Sequence, residues 1–182
     1  MKKLTILACC SLLTSLPTIA NDVSVDFSDN VFNLDFISDR MIDDGEVGFG
    51  ALIRDNDISL YSVKAMINGE VEQVQNLNAA LGGKVYLAKF DSEYVQGFGL
   101  GGELDYQFPS NPKLKLEAAF YYSPSVTLSD DLDYMTDFTA KISYQLLKKA
   151  ELFIGYRQID LHADNGNVEI DEGLHAGMKF TF

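Results

Sequence analysis

From Leu174 onward every second residue is apolar: Leu174, Ala176, Met178, Phe180 and Phe182, separated by His175, Gly177, Lys179 and Thr181. A two-residue period cannot belong to a helix, whose faces repeat every 3.6 residues; it gives a strand with one oily face and one small or polar face. The strand runs to an aromatic ring at Phe182. Chain ends in water usually fray in polar residues, so this pattern predicts a strand set against an apolar surround.

Carried backwards, the same phase recurs almost to the start. Leu152, Ile154 and Tyr156 form one apolar row; Phe138, Ala140, Ile142, Tyr144 and Leu146 another; Leu114, Leu116, Ala118, Phe120 and Tyr122 a third. Phe98, Leu100, Leu104, Tyr106 and Phe108 continue it, then Leu77, Ala79, Leu81, Val85 and Leu87. The first half is noisier, with strands expected over 58–67, 46–53 and 31–38, and a short one over 23–27. Two tight connections, Pro109-Ser110-Asn111-Pro112 and Leu147-Lys148-Lys149, contrast with longer ones at Ser123 to Asp133 and Asp164 to Asn167. Short turns on one side and long loops on the other are the habit of transmembrane barrels. With both ends of the barrel chain on one side the strand number must be even. Ten follows if 23–27 counts, and eight if two early segments are one.

The N-terminus agrees. Met1-Lys2-Lys3 is basic, Leu4 to Leu16 is mostly apolar, and Ala20 closes a small-residue site, the layout of a secretory signal over 1–20. Cys9 in Ile6-Leu7-Ala8-Cys9 loosely fits a lipoprotein box, but leaves only eight residues before it. The barrel domain is then expected over 21–182, without cysteine and so without a disulfide or thiolate metal site. Taking Lys2 and Lys3 from the 14 basic residues leaves 12 against 27 acidic, a net charge of −15. That excess excludes nucleic acid as a natural partner and simple attraction to anionic head groups.

The polar faces hold glycine, alanine, serine and threonine among charges of both signs. Such a face suits the crowded interior of a narrow barrel, where Glu103, Asp105, Lys115, Glu117, Lys141, Arg157 and Lys179, with Lys84 and Glu151, can pair across the lumen. The oily faces carry Tyr or Phe near strand ends, as interfacial girdles require. The fold expected is therefore all-β: a small antiparallel transmembrane β-barrel of the bacterial outer membrane, monomeric, with a side-chain-filled lumen and acidic outer loops. A barrel of about eight strands is filled by side chains, so an interior ion-pair plug is expected in place of a pore. Arg157 amid Glu103, Glu117 and Asp105 is the candidate constriction of a narrow ion or solute channel, the alternative.

Several motifs also resemble a known family. Phe98-Gly99-Leu100-Gly101-Gly102-Glu103-Leu104, Pro109-Ser110-Asn111-Pro112, Tyr121-Tyr122-Ser123-Pro124-Ser125, Tyr134, Gly155 to Leu161 and Gly173 to Gly177 resemble the YfaZ family of bacterial outer-membrane proteins. The resemblance covers about residues 80–182 well and the first half loosely. It implies an outer-membrane barrel without an established activity, set among outer-membrane lipid and lipopolysaccharide. It also implies assembly by the outer-membrane insertion machinery, for which Met178, Phe180 and Phe182 would be the C-terminal signal.

Chemistry is sparse. His162 and His175 are the only histidines, and no Gly-x-Ser-x-Gly motif accompanies Ser123, Ser125 or Ser129. A lipid hydrolase using His162 is the remaining enzymatic reading, and no enzyme is the expectation. Ser129 to Asp133 and Asp164 to Asn167 lack the spacing of a calcium loop. The Gly97-Gly99-Gly101-Gly102 series lacks the Lys-Ser/Thr of a phosphate loop. No cofactor or metal is expected.

Overall fold

The computed structural model describes residues 21–55, 58–90, 93–129, 132–163 and 166–182. The predicted signal over 1–20 lies outside them, as do Asp130, Asp131, Asp164 and Asn165. Ten antiparallel strands follow in order: β1 (Asp22–Phe27), β2 (Val31–Ser38), β3 (Gly45–Arg54), β4 (Ile58–Glu70), β5 (Leu77–Phe90), β6 (Glu93–Gln107), β7 (Leu114–Pro124), β8 (Leu132–Leu147), β9 (Ala150–Ala163) and β10 (Gly166–Thr181). Each pairs with its neighbours in sequence, and β1 pairs with β10, so the sheet closes into a barrel. The short 23–27 segment is thus a strand and the count is ten. It is also the closing one: Val23 stands opposite Phe180 on one side and opposite Phe36 on the other.

The oily rows face outward. Leu100, Leu81, Leu174, Ile154 and Ile67 are more than 60% exposed, and Phe138 and Ile142 lie in the same outer layer. The charged rows face the lumen. Beyond the level of Tyr156 the chemistry changes sides. On β9, Leu152, Ile154 and Tyr156 point out, but the next outward positions are Gln158, Asp160 and His162, while Ile159 and Leu161 are buried inside. The same exchange occurs on β4, where Leu60 points in and Ser59 out, and on β5, where Ala88 points in and Lys89 out. An outward row is stable against hydrocarbon when it is oily and against water when it is polar. The exchange marks the outer limit of the membrane's apolar layer.

Both described chain ends lie together at the other end, the one expected to face the periplasm. The connections there are not all short: 39–44, 71–76 and 108–113 each span six residues, the last of them containing the predicted Pro109–Pro112 turn. Asp44 and Asn76 sit at the exits of two of these turns with φ of 56° and 62°, the left-handed region that Asp and Asn tolerate. At the outer end Gly166 and Asn167, expected in a loop, are strand. The expected loop alternation therefore gives way to another scheme. Residues beyond the apolar layer stay paired as projecting hairpins, which leaves few backbone groups for loops to satisfy. The connection after β7 is also held down: Leu128 bridges to Gly97, Ser129 N donates to Gln96 O (2.8 Å), and Thr127 Oγ1 donates to Phe98 O (2.6 Å). It covers the upper edge of β6, which has no β7 partner beyond Leu100.

Candidate functional site: the lumen

The lumen has three levels. The lowest is a cavity of about 800 Å³ whose lining includes Asp22, Asp39, Asp44, Glu70, Asn78 and Asp105, all near strand ends or turns on the periplasmic side, so it opens there. The expected side-chain filling therefore fails over this part. Inward glycines such as Gly48 and Gly50 contribute no volume to the wall, and ten strands enclose more room than eight.

At the middle level the charges pair in separate groups. Lys64 bridges Glu46 (2.6 Å) and Glu103 (2.6 Å), and Tyr121 Oη donates to the same Glu103 carboxylate. Lys84 and Tyr86 Oη both donate to Asp137, at 2.8 and 2.9 Å. Lys115 meets Asp105 at 2.8 Å. Glu117 collects Lys179 (3.3 Å), Lys141 (3.8 Å) and Ser143 Oγ (2.5 Å), and Lys179 also reaches Glu151 (3.2 Å). Arg157 donates from Nε to Asp171 (2.6 Å) and from Nη1 to Asp26 (3.0 Å), all three being buried. Ion pairing of this kind removes the cost that a lone buried charge would carry.

All seven residues expected in the lumen network line it, but they do not form one cluster. Arg157 does not stand amid Glu103, Glu117 and Asp105. It lies farther out along its strand, where Asp26 and Asp171 are its partners. Asp26, Glu46, Lys64 and Asp137 were missed, although extending the alternation through 22–26, 46–54, 60–66 and 135–139 places them inside. Asp171 falls inside by the same extension, in phase with Gly173 and His175, whereas Ile170 could not be found that way. The register of β10 against β9 shifts between Glu169 and Asp171, so Ile170 and Asp171 are both buried.

The third level is an apolar cap. Val31, Leu52, Leu60, Ala88, Met135, Ile159, Leu161 and Ile170 are buried together at the outer ends of their strands, with Ile58, Phe90, Val95, Leu128 and Leu132 packed against them. Ile170 has no exposed surface. Between cap and chamber lies a pocket of about 90 Å³ beside Arg157, His175, Asp26 and Asp137.

The remaining candidates separate. His162 lies on the outer face and stacks on Tyr134, ring centroids 4.1 Å apart. Ser123 is buried on the inner face and Ser129 Oγ accepts from Gln96 N, so the wall stands between His162 and Ser123. His175 is a lumen residue packed edge-on against Phe153. Among the described residues no three metal-ligating side chains come together. Met178, Phe180 and Phe182 close the outward row of β10 at its periplasmic end, and Phe182 N donates to Asn21 O (2.8 Å).

Residues 1–182, the whole chain, match the family described as YfaZ precursor. The chain belongs to the YfaZ family. Together with the lipid-facing rows, membership makes it a β-barrel of the outer membrane, and that is the location of the protein. Two solved structures are similar: a KdgM porin, with a TM-score of 0.47 and 13% identity over 88% of this chain and 98% of that one, and a KdgM porin in complex with disordered oligogalacturonate, with a TM-score of 0.46 and the same identity and coverage. No curated protein matches this member of the family.

Proposed function

We propose that the protein is a narrow solute channel of the outer membrane, closed at its outer mouth in the conformation described. The supporting observation is the chamber of about 800 Å³ that reaches from the periplasmic mouth to the Arg157 level, above which stand only a pocket of about 90 Å³ and one apolar layer. A barrel serving only as a scaffold gains nothing from such a void, since interiors are otherwise packed to crystal density and every gap forfeits contacts. The second reading, a closed structural or interaction barrel, is favoured by the completeness of the cap. The hydrolase reading has no support in geometry that sets His162 and Ser123 on opposite faces of the wall.

Conductance across planar bilayers separates the first two. The wild-type barrel is expected to be almost silent, whereas Leu52→Gly with Ile170→Gly, which removes two cap side chains, is expected to give steady single-channel steps. A folded cap variant that stays silent would sink the channel reading in favour of the structural one. The steps should also be cation-selective. Ten carboxylates line the chamber against five lysines. Each lysine is held by a carboxylate, which leaves Asp22, Asp35, Asp39, Asp44 and Glu70 to bias the potential. A reversal potential in a salt gradient reads this directly, and anion selectivity would contradict it.

In this reading the protein works as a monomer among outer-membrane lipid and lipopolysaccharide, and the insertion machinery engages β10 during assembly. Phe180→Ser with Phe182→Ser should then lower the amount recovered in the outer membrane by severalfold. A level equal to wild type would remove Phe180 and Phe182 from the signal.

A further inference from the structure

The cap draws on most of the strands, but the wall that carries it is uneven in height. β1 has 6 residues and β10 has 16. At ~3.3 Å per residue and a tilt near ~40°, the wall at β1 rises about 15 Å while β10 rises about 40 Å. The pairing shows the consequence. Phe27, the last residue of β1, stands opposite Ala176, so β10 from His175 out to Gly166 has β9 on one side and no strand on the other among the described residues. This free length carries Ile170 into the cap, because the bulge between Glu169 and Asp171 turns one extra side chain inward.

Arg54 spans the gap. It is the last residue of β3, and its guanidinium Nη1 donates to the carbonyl oxygens of Glu169 (2.7 Å) and Ile170 (3.0 Å), with the Glu169 carboxylate at 3.9 Å. These acceptors are the backbone of the bulge itself. A second tie lies one level lower, where Arg157 of β9 reaches Asp26 of β1. That tie joins parts of the wall below the cap, whereas the Arg54 contact holds the segment bearing Ile170.

We propose that Arg54 is the latch of an outer gate, and that the outer length of β10, from Gly166 to Gly173, is the moving part. Releasing Arg54 frees the bulge carbonyls to water, lets the Ile170 segment swing off Val31 and Leu52, and joins the outside to the pocket beside Arg157 and the chamber beneath. The inference rests on the channel reading and concerns its regulation. A charge-assisted hydrogen bond to a two-state element changes the closed-to-open ratio by about tenfold or more when lost.

The test is single-channel recording of the full refolded barrel, with heat-modifiable gel migration as the check on folding, together with amide hydrogen exchange over 166–173. Arg54→Gln is expected to raise open probability about tenfold over wild type and to speed exchange in that segment, with Arg54→Lys falling between. Conductance and exchange equal to wild type in Arg54→Gln would overturn the latch. Faster exchange without added conductance would overturn the gating step. If Leu52→Gly with Ile170→Gly conducts while Arg54→Gln does not, the latch falls and the channel stands. If the cap variant is silent as well, both fall.

Discussion

Arg157→Met is expected to lower the stability of the folded barrel by about 3–5 kcal/mol, because it leaves two carboxylates buried without their cation. Asp26 and Asp171 are 3% and 4% exposed, so even with the small pocket beside Asp26 water reaches the two carboxylates too little to replace the guanidinium. Asp26 retains one donor, Asn33 Nδ2 at 2.9 Å, which is neutral and cannot balance its charge. The loss would be read as a lower urea midpoint for the disappearance of the folded, heat-modifiable band. The sharper test is the triple variant Arg157→Met with Asp26→Asn and Asp171→Asn. Removing a whole buried charge group is often neutral or better, whereas breaking it is costly, so the triple variant should recover most of the midpoint. A single variant as stable as wild type would show that the carboxylates take up protons or water at little cost.

The same three residues show how far a sequence of this kind can be read. The lipid-facing rows are legible because hydrocarbon demands oil at every outward position of a strand, and one correct phase at Phe182 propagates through nine hairpins. Arg157 is legible as a lumen residue for that reason, and its partner Asp26 would have been with the phase carried into β1. Asp171 follows from the phase of Gly173 and His175, but its neighbour Ile170 does not, since the bulge adds one residue and a period-2 argument has no term for it. The cap was illegible for a different reason. Above the apolar layer the alternation persists but its meaning reverses, as with Ile159 and Leu161 inside and Asp160 and His162 outside. The sequence alone does not say at which residue the surroundings change from lipid to water. The chamber depends on how much volume inward side chains leave in a ring of ten strands, and that is a sum over the whole wall.

Gly101→Val should be as damaging as losing Arg157, through packing in place of charge. Gly101 stands directly across from Tyr121 in the β6–β7 ladder. A Cβ added there would sit 2.5 Å from Tyr121 Cδ1, with the Phe120 carbonyl oxygen closer still. The ring lies over the glycine, which offers it a flat floor, and from there its hydroxyl reaches Glu103 and lies 3.4 Å from Met66 Sδ. Tyr121 lines the chamber, so a displaced ring would swing into that space and take its hydroxyl away from Glu103. Overpacking of this kind costs about 1–3 kcal/mol and sometimes more, and the lost hydroxyl contact to a carboxylate adds about 1.5–3 kcal/mol. A double-mutant cycle isolates the ring's share. Tyr121→Ala removes the obstacle, so the cost of Gly101→Val should fall by more than ~1 kcal/mol in that background, while the part due to the Phe120 carbonyl remains. Gly69→Val is the control. Nothing lies within 4 Å of a Cβ at Gly69, and the change there should stay within about 0.5 kcal/mol. Equal effects at Gly101 and Gly69 would mean that the tyrosine does not need its glycine floor, and the close packing inferred for the β6–β7 wall would be wrong.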